Sequence, residues 1–355
     1  MATTPVGTTT ATSQPRESWL DRLRNRLRVQ ARRPGDFLFR GGVYLFVAIV
    51  LFMVAGIAFV LVQRSWLSIT TNGWAFLTND AFDPNNNTYG VRPAIFGTLV
   101  TSAIALLLAT PIGIGTAIFL VDFSPRRLRA PFAFLVDAIA AIPSVVIGLW
   151  GLIVFAPWMQ KTGGPWLQDH FGFLPFFQGT PRGVGILTAG LILTVMILPI
   201  LTAIAREVML VVPVAQREAL LAVGATRWEV IRHAVLPFAQ VGIMGGAILA
   251  LGRALGETIA VTMVIGNQAN QLSPSLFDTG YSLSSVIANQ FGEATPGVFQ
   301  SAVLEAGLLL LIITLITNIL ARLLIARMGT QRRPKGPVGR ARFGGVVDIT
   351  RRPGE

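Results

Sequence analysis

Glu218-Ala219-Leu220-Leu221-Ala222-Val223-Gly224-Ala225-Thr226-Arg227-Trp228-Glu229-Val230-Ile231, with Leu236-Pro237 a few residues on, is a polar, helix-prone stretch between two long apolar runs. Ala215–Val223 is built of good helix formers, with Glu218 near its start. Gly224 can end that helix in a left-handed conformation. Thr226 then offers an N-cap oxygen and Glu229 follows three residues later, the pattern of a capping box. A second helix begins at Trp228, and Pro237 is expected to limit it. The loop, about 206–240, therefore reads as two short helices at an angle. A compact knob of that kind can fit a groove in a partner and transmit force, which a loose connector cannot. The plainer reading of the same residues is an amphipathic hairpin resting on the membrane face.

The runs on either side set the class. Of 355 residues, 52% are hydrophobic and 13% charged, against about 25% charged in soluble domains. A helix crossing about 30 Å of hydrocarbon needs about 20 apolar residues. Six runs qualify: Val43–Val62, Ala94–Val121, Phe132–Phe155, Val184–Ala205, Val241–Ile265 and Ala302–Ile325. Lipid cannot satisfy an open sheet edge, so these runs are helices and the fold is all-α and polytopic. Pro111, Pro143 and Pro199 lie inside three of them, as membrane helices tolerate. The first run is longer than a signal-peptide core and has no small-x-small cleavage site after it, so it is expected to be a retained anchor. Cysteine is absent, which removes disulfides and thiolate metal sites. His170 and His233 are far apart in sequence and read as ordinary surface or interface residues.

Charge orients the runs. Of the 29 Lys and Arg, 24 lie in the leader, the second and fourth loops and the tail, Arg322 being counted with the tail; four lie in the other loops. Arg253 remains, inside the fifth run. The positive-inside rule then puts both termini and the Glu218 loop in the cytoplasm and the Asp278 loop outside. The net charge of +12 is thus topology and contact with anionic lipid; nucleic acid is not expected, since aromatic interleaving is missing from the tail. Residues 1–41 form a basic, partly disordered leader in which Asp21–Arg33 can be an amphipathic helix or a bare topology signal. Residues 42–327 form the transmembrane domain, and 328–355 a basic disordered tail.

In the fifth run, Arg253 and Glu257 are four apart and would share one helix face, where they can pair. Charges inside a span usually face a bundle interior or a wet cavity. Gly252 and Gly256 make a small-xxx-small stripe beside them that would admit a partner helix. An anion path and a purely structural salt bridge both fit these residues.

The order Glu218-Ala219, Gly224, Leu236-Pro237 resembles the cytoplasmic coupling loop of ABC transporter permeases, with Leu220 and Ala234 departing from the pattern. Within that superfamily, Gly252-Arg253-Ala254-Leu255-Gly256-Glu257-Thr258, Ala140-Ala141-Ile142-Pro143-Ser144 through Gly151, Gly97-Thr98-Leu99 and Pro111-Ile112-Gly113 are similar to the PstC-type permeases of phosphate-specific ABC importers. The likeness covers roughly residues 40–327. It implies a type I importer permease fold in the plasma (inner) membrane and a role in inorganic phosphate import. It also implies that Arg253, Glu257 and Thr258 belong to the translocation path, and that Glu218, Ala219, Gly224, Leu236 and Pro237 couple to an ATPase. The implied partners are a PstA-type second permease, a PstB-type ATPase dimer and a PstS-type phosphate receptor.

The chain itself is expected to hold no cofactor and to be no enzyme. Its two lysines, preceded by Gln160 and Pro334, do not fit a phosphate-binding loop, so ATP and Mg belong to the ATPase subunit. A permease for another oxyanion, and an ATP-independent secondary transporter or channel, are the competing readings.

Overall fold

The computed structural model describes residues 34–268 and 272–330. The readings of the leader up to Arg33 and of the tail beyond Thr330 lie outside the described residues.

Among the described residues six helices are long and apolar enough to cross a membrane. We label the helices α1 (Pro34–Asn72), α2 (Arg92–Phe123), α3 (Arg126–Ala140), α4 (Ser144–Phe171), α5 (Ile186–Leu210), α6 (Val214–Ala222), α7 (Arg227–Gly256), α8 (Ile259–Val264), α9 (Leu283–Gln290) and α10 (Val298–Thr330). By contact, the chain divides between Val60 and Leu61, within α1. The first unit, as far as it is described, is the apolar helix 34–60, whose side chains from Phe39 onward are almost all exposed, as suits a helix solvated by lipid. Everything below concerns the second unit.

Its core is the pair α2 and α5. Ala105 and Ala109 of α2 and Ala189, Leu193 and Ile197 of α5 belong to one buried cluster. Small residues let the backbones approach: a Cβ on Gly190 would lie 2.8 Å from Ile104. α7 packs on α5 in the same way, since a Cβ on Gly242 would stand 2.6 Å from Val208 and one on Gly246 2.8 Å from Ile204. In lipid no hydrophobic force joins helices, and close van der Waals contact of this kind does.

Three expectations change. The third apolar run is not one helix. Ala141 N and Ile142 N turn back to Ala138 O and Ile139 O, and α4 starts anew after Pro143. The residue before a proline is pushed away from the α conformation. Pro111 and Pro199 are held within α2 and α5, which pack along each other, whereas Ile142 and Val145 beside Pro143 are exposed. α4 then runs on to Phe171, carrying Lys161 in its last turns rather than in a loop.

The knob loop is also shorter than expected. α5 reaches Leu210, and the second knob helix is the start of α7. Pro237 does not end it. A π turn over Ile231–Val235 precedes Leu236-Pro237 and shifts the hydrogen-bond register where the proline has no N–H to give.

The fifth run, too, is two helices, α7 and α8, with Glu257 and Thr258 between them. A two-residue β-hairpin, Phe82–Asp83 with Thr88–Tyr89, lies in the loop before α2. Arg92 donates to both carboxylate oxygens of Asp80 there, at 2.6 and 2.5 Å, and those bonds hold the Asp80 carboxyl below the usual carboxylate range.

Candidate functional site

The fifth span breaks at Glu257. Gly256 is the last residue of α7; Glu257 is extended, with φ −69° and ψ 122°, and α8 starts at Ile259. A break inside a membrane protein needs partners for the freed backbone, and hydroxyls supply them. Ser284 donates to Glu257 O at 2.9 Å. Thr262 donates its hydroxyl to Thr258 O at 2.7 Å, and Thr258 donates to Gly256 O at 3.3 Å. Ser284 is held in turn at the N-terminus of α9, where Ser282 caps Ser285 N and Thr98 of α2 accepts from Leu283 N at 2.9 Å. Gly185 N bonds Val264 O, so α8 ends level with the start of α5. Six residues at 1.5 Å each put the break about 9 Å inside that end of the bundle.

This break undoes the expected pairing. Arg253 is helical and Glu257 is not, so the two are not stacked one turn apart. Among the described residues the ion pairs are Arg92–Asp80, Arg206–Glu207 and Arg217–Asp122, and neither Arg253 nor Glu257 is in them. Both instead line one open cavity of about 1270 Å³, walled by α7 and α10 with Ile200 of α5. Arg253 is exposed and Glu257 half-buried. Thr258 is not in the cavity wall; its oxygens serve the break.

Gly252 and Gly256 face the same cavity. A Cβ on Gly256, or on Gly245 further down, would meet nothing within 4 Å, and one on Gly252 only the Asn318 amide at 3.7 Å. The close helix contact within this chain is made by Gly242 and Gly246 instead. The cavity therefore presents an unfilled glycine face on which the Arg253 guanidinium and the Glu257 carboxylate stand without an ion-pair partner among the described residues. At membrane depth such charges require water or a second protein.

The knob is ordered by its own caps. After α6, Ala225 N bonds Leu220 O and Gly224 N bonds Leu221 O, both at 3.0 Å, with Gly224 at φ 88°. These are the paired bonds of a Schellman turn. The capping box follows as expected: Thr226 N donates to Glu229 Oε2 at 2.7 Å, and Glu229 N to Thr226 Oγ1 at 3.3 Å. Glu218, Ala219 and Gly224 are exposed, while Leu236 and Pro237 are half-buried below the π turn. Exposed around them are Leu221, Val223 and Trp228, Val223 to 81%, an apolar surface on a tip that is otherwise polar.

Sequence reasoning missed what anchors that tip. Arg217 of α6 pairs with Asp122 at the end of α2 and donates to Met209 O at 2.9 Å. Arg129 of α3 donates to Val121 O at 2.5 Å beside it. The knob is thereby fastened to α2 and α5, the helices of the core. An acidic residue closing an apolar run, as Asp122 does, was the available signal. The hydroxyls at Ser282, Ser284 and Ser285 were another. Asp137 is exposed on α3, and Glu305 is half-buried in a separate apolar groove at the other end of the bundle.

Comparison with known proteins agrees with this architecture. Residues 109–330 match the family described as binding-protein-dependent transport system inner membrane component. The phosphate transport system permease protein PstC of Mesorhizobium japonicum is 42% identical over 297 residues, which is 82% of this chain and 90% of that protein. PstC of Haemophilus influenzae is 44% identical, covering 82% and 94%. PstC 2 of Mycobacterium tuberculosis is 39% identical, covering 82% and 91%. Among solved structures, a chain of a bacterial alginate ABC transporter, crystallised with its alginate-bound periplasmic protein, superposes with a TM-score of 0.52 at 18% identity, over 83% of this chain and 98% of that one. The fold is that of type I ABC importer permeases. The chain belongs to the binding-protein-dependent transport system inner membrane component family.

Proposed function

We propose that this chain is the permease subunit of an ATP-driven inorganic phosphate importer. It forms half of the translocation path with a second permease and is driven by a separate ATPase. The observation that carries the reading is the cavity at the broken fifth span, where Arg253 stands unpaired beside Glu257 on an open glycine face. An exposed guanidinium at that depth attracts an anion, and the open face suits a second permease completing the wall. The PstC relatives supply the identity of the anion. An extracytoplasmic phosphate-binding protein would deliver it, and Arg253 with Glu257 would receive it. ATP and Mg would be bound by the ATPase, an expected dimer that receives the exposed knob of Glu218, Ala219 and Leu221. A rigid tip tied to α2 through Arg217–Asp122 can pass motion from that ATPase into the core pair α2 and α5.

Phosphate uptake tests the substrate. In cells lacking their own importer, the chain expressed with its second permease, ATPase and receptor should restore uptake of radiolabelled phosphate. Excess sulfate should leave that uptake unchanged. Suppression of uptake by sulfate would favour the permease of another oxyanion.

Orientation has its own test. Both termini and the knob should be cytoplasmic. The native chain contains no cysteine, so single cysteines can be read without background. Glu293 and Gln216 are both exposed, at opposite ends of the bundle. An impermeant thiol reagent added outside whole cells should label Glu293→Cys and spare Gln216→Cys. The reverse pattern would overturn the assignment.

A further inference from the structure

The cavity that holds Arg253 holds a second guanidinium. Arg322 of α10 lines the same wall, together with Asn318 one turn above it. Arg253 is therefore not the only fixed positive charge within the apolar runs, because Arg322 falls inside the sixth. Among the described residues Arg322 has neither an ion-pair partner nor a hydrogen bond to its side chain. On the same helix Leu323 and Leu324 are 56% and 61% exposed, so α10 turns apolar side chains outward beside the arginine in the cavity wall.

The depths of these groups follow from helix geometry. α7 and α10 run antiparallel, and the Asn318 amide lies 3.7 Å from where a Cβ of Gly252 would stand. Arg322 is one turn further toward the knob end. At 1.5 Å per residue it stands level with about residue 248, roughly 13.5 Å below the break at Glu257 and roughly 7.5 Å below Arg253. Ile200 of α5, also in the wall, lies at about that depth. Among the described residues of the wall Glu257 is the only carboxylate, two guanidiniums outweigh it, and the lower part of the cavity has Arg322 as its charged group.

We infer that Arg322, with the Asn318 amide, forms a second anion station, taking the oxyanion from Arg253 and passing it toward the knob end. The inference rests on the reading of this cavity as the phosphate path. A guanidinium fork matches two oxygens of a tetrahedral oxyanion, and an amide N–H can hold a third. Two sites of like charge about 7.5 Å apart along the helix axis let an anion leave the first without entering apolar surroundings, and neither need bind tightly. The same chemistry would hold a phospholipid headgroup, so the test must separate free phosphate from lipid phosphate.

The assembled importer should be reconstituted in vesicles, with uptake of radiolabelled inorganic phosphate measured for Arg322→Gln, Arg322→Lys, Asn318→Ala, Arg327→Gln and Arg253→Gln. Arg322→Gln is expected to lower maximal uptake by at least about tenfold, the scale of one lost charge-assisted contact. Its KM should stay within about twofold, since entry is governed above. Arg322→Lys keeps the charge but loses the fork, and should fall between Gln and wild type. Asn318→Ala should lower maximal uptake in the same sense and by less. Arg327→Gln removes a neighbouring charge from the helix end and should have little effect.

Each measurement is repeated in phosphatidylcholine alone and with phosphatidylglycerol added. An anion station gives the same Arg322→Gln defect in both. A defect present only with the anionic lipid would mean that Arg322 holds a headgroup, and would overturn the inference. So would wild-type uptake in Arg322→Gln while Arg253→Gln is dead. If both variants transport normally, the reading of the cavity as the path fails instead. If Arg322→Gln assembles poorly, Arg322→Lys, which keeps the charge that orients the helix, decides the matter: wild-type uptake in it rejects the fork.

Discussion

Arg253→Gln should lower phosphate uptake by about tenfold to a hundredfold while the permease still inserts and assembles. A charge-assisted hydrogen bond contributes roughly 1.5–3 kcal/mol, and each 1.36 kcal/mol is about a tenfold change in rate. Glu257→Gln should cost less, because Glu257 makes no ion pair to lose and its backbone oxygen keeps the bond from Ser284. The double variant Arg253→Gln, Glu257→Gln carries the decision. A bridge that merely holds helices should tolerate joint removal of both charges, with uptake restored. No such bridge exists here, since Glu257 has left the helix and both side chains open onto the cavity. The double variant is therefore expected to be well expressed, normal in assembly and as poor in uptake as Arg253→Gln alone. Recovery of near-normal uptake in the double variant would reject the anion role of Arg253.

Gly224→Val should uncouple the transporter. Gly224 holds φ 88°, and a Cβ there would meet nothing within 4 Å. The penalty is therefore backbone strain and not a clash, about 1–2 kcal/mol for a side chain forced into the left-handed region. That is enough to open the turn that sets α6 against α7, and with it the direction of Leu221 and Val223. Uptake and uptake-linked ATP hydrolysis should both fall severalfold, while a cysteine at Glu293 still labels from outside. Gly224→Asn is the control, because asparagine enters the left-handed region more readily than other side chains. It should retain most activity. Wild-type uptake in Gly224→Val would sink the proposal, and equal failure of the Asn and Val variants would show that something other than the turn conformation matters.

The second experiment depends on features the amino-acid sequence determined alone, the first on a helix break that it did not. Run length and polarity decide that a chain spans a membrane, because the bilayer has one thickness and tolerates no unpaired backbone. Caps are local: Gly224, Thr226 and Glu229 act on backbone groups within a few residues, so their roles were legible without a fold. What the sequence left open depended on neighbours. Three prolines sit in apolar runs, yet only Pro143 breaks a helix, because Pro111 and Pro199 lie in the two helices that pack along each other. Periodicity made Arg253 and Glu257 a stacked pair, but Ser284 and Thr262, from elsewhere in the chain or the next helix, accept the cost of breaking the helix between them. Nothing local links Asp122 to Arg217, Gly246 to Ile204, or Arg322 to the cavity of Arg253. Those contacts join residues far apart in the chain, and a single strand of sequence carries no distance between its own distant parts until the packing of α2, α5, α7 and α10 supplies it.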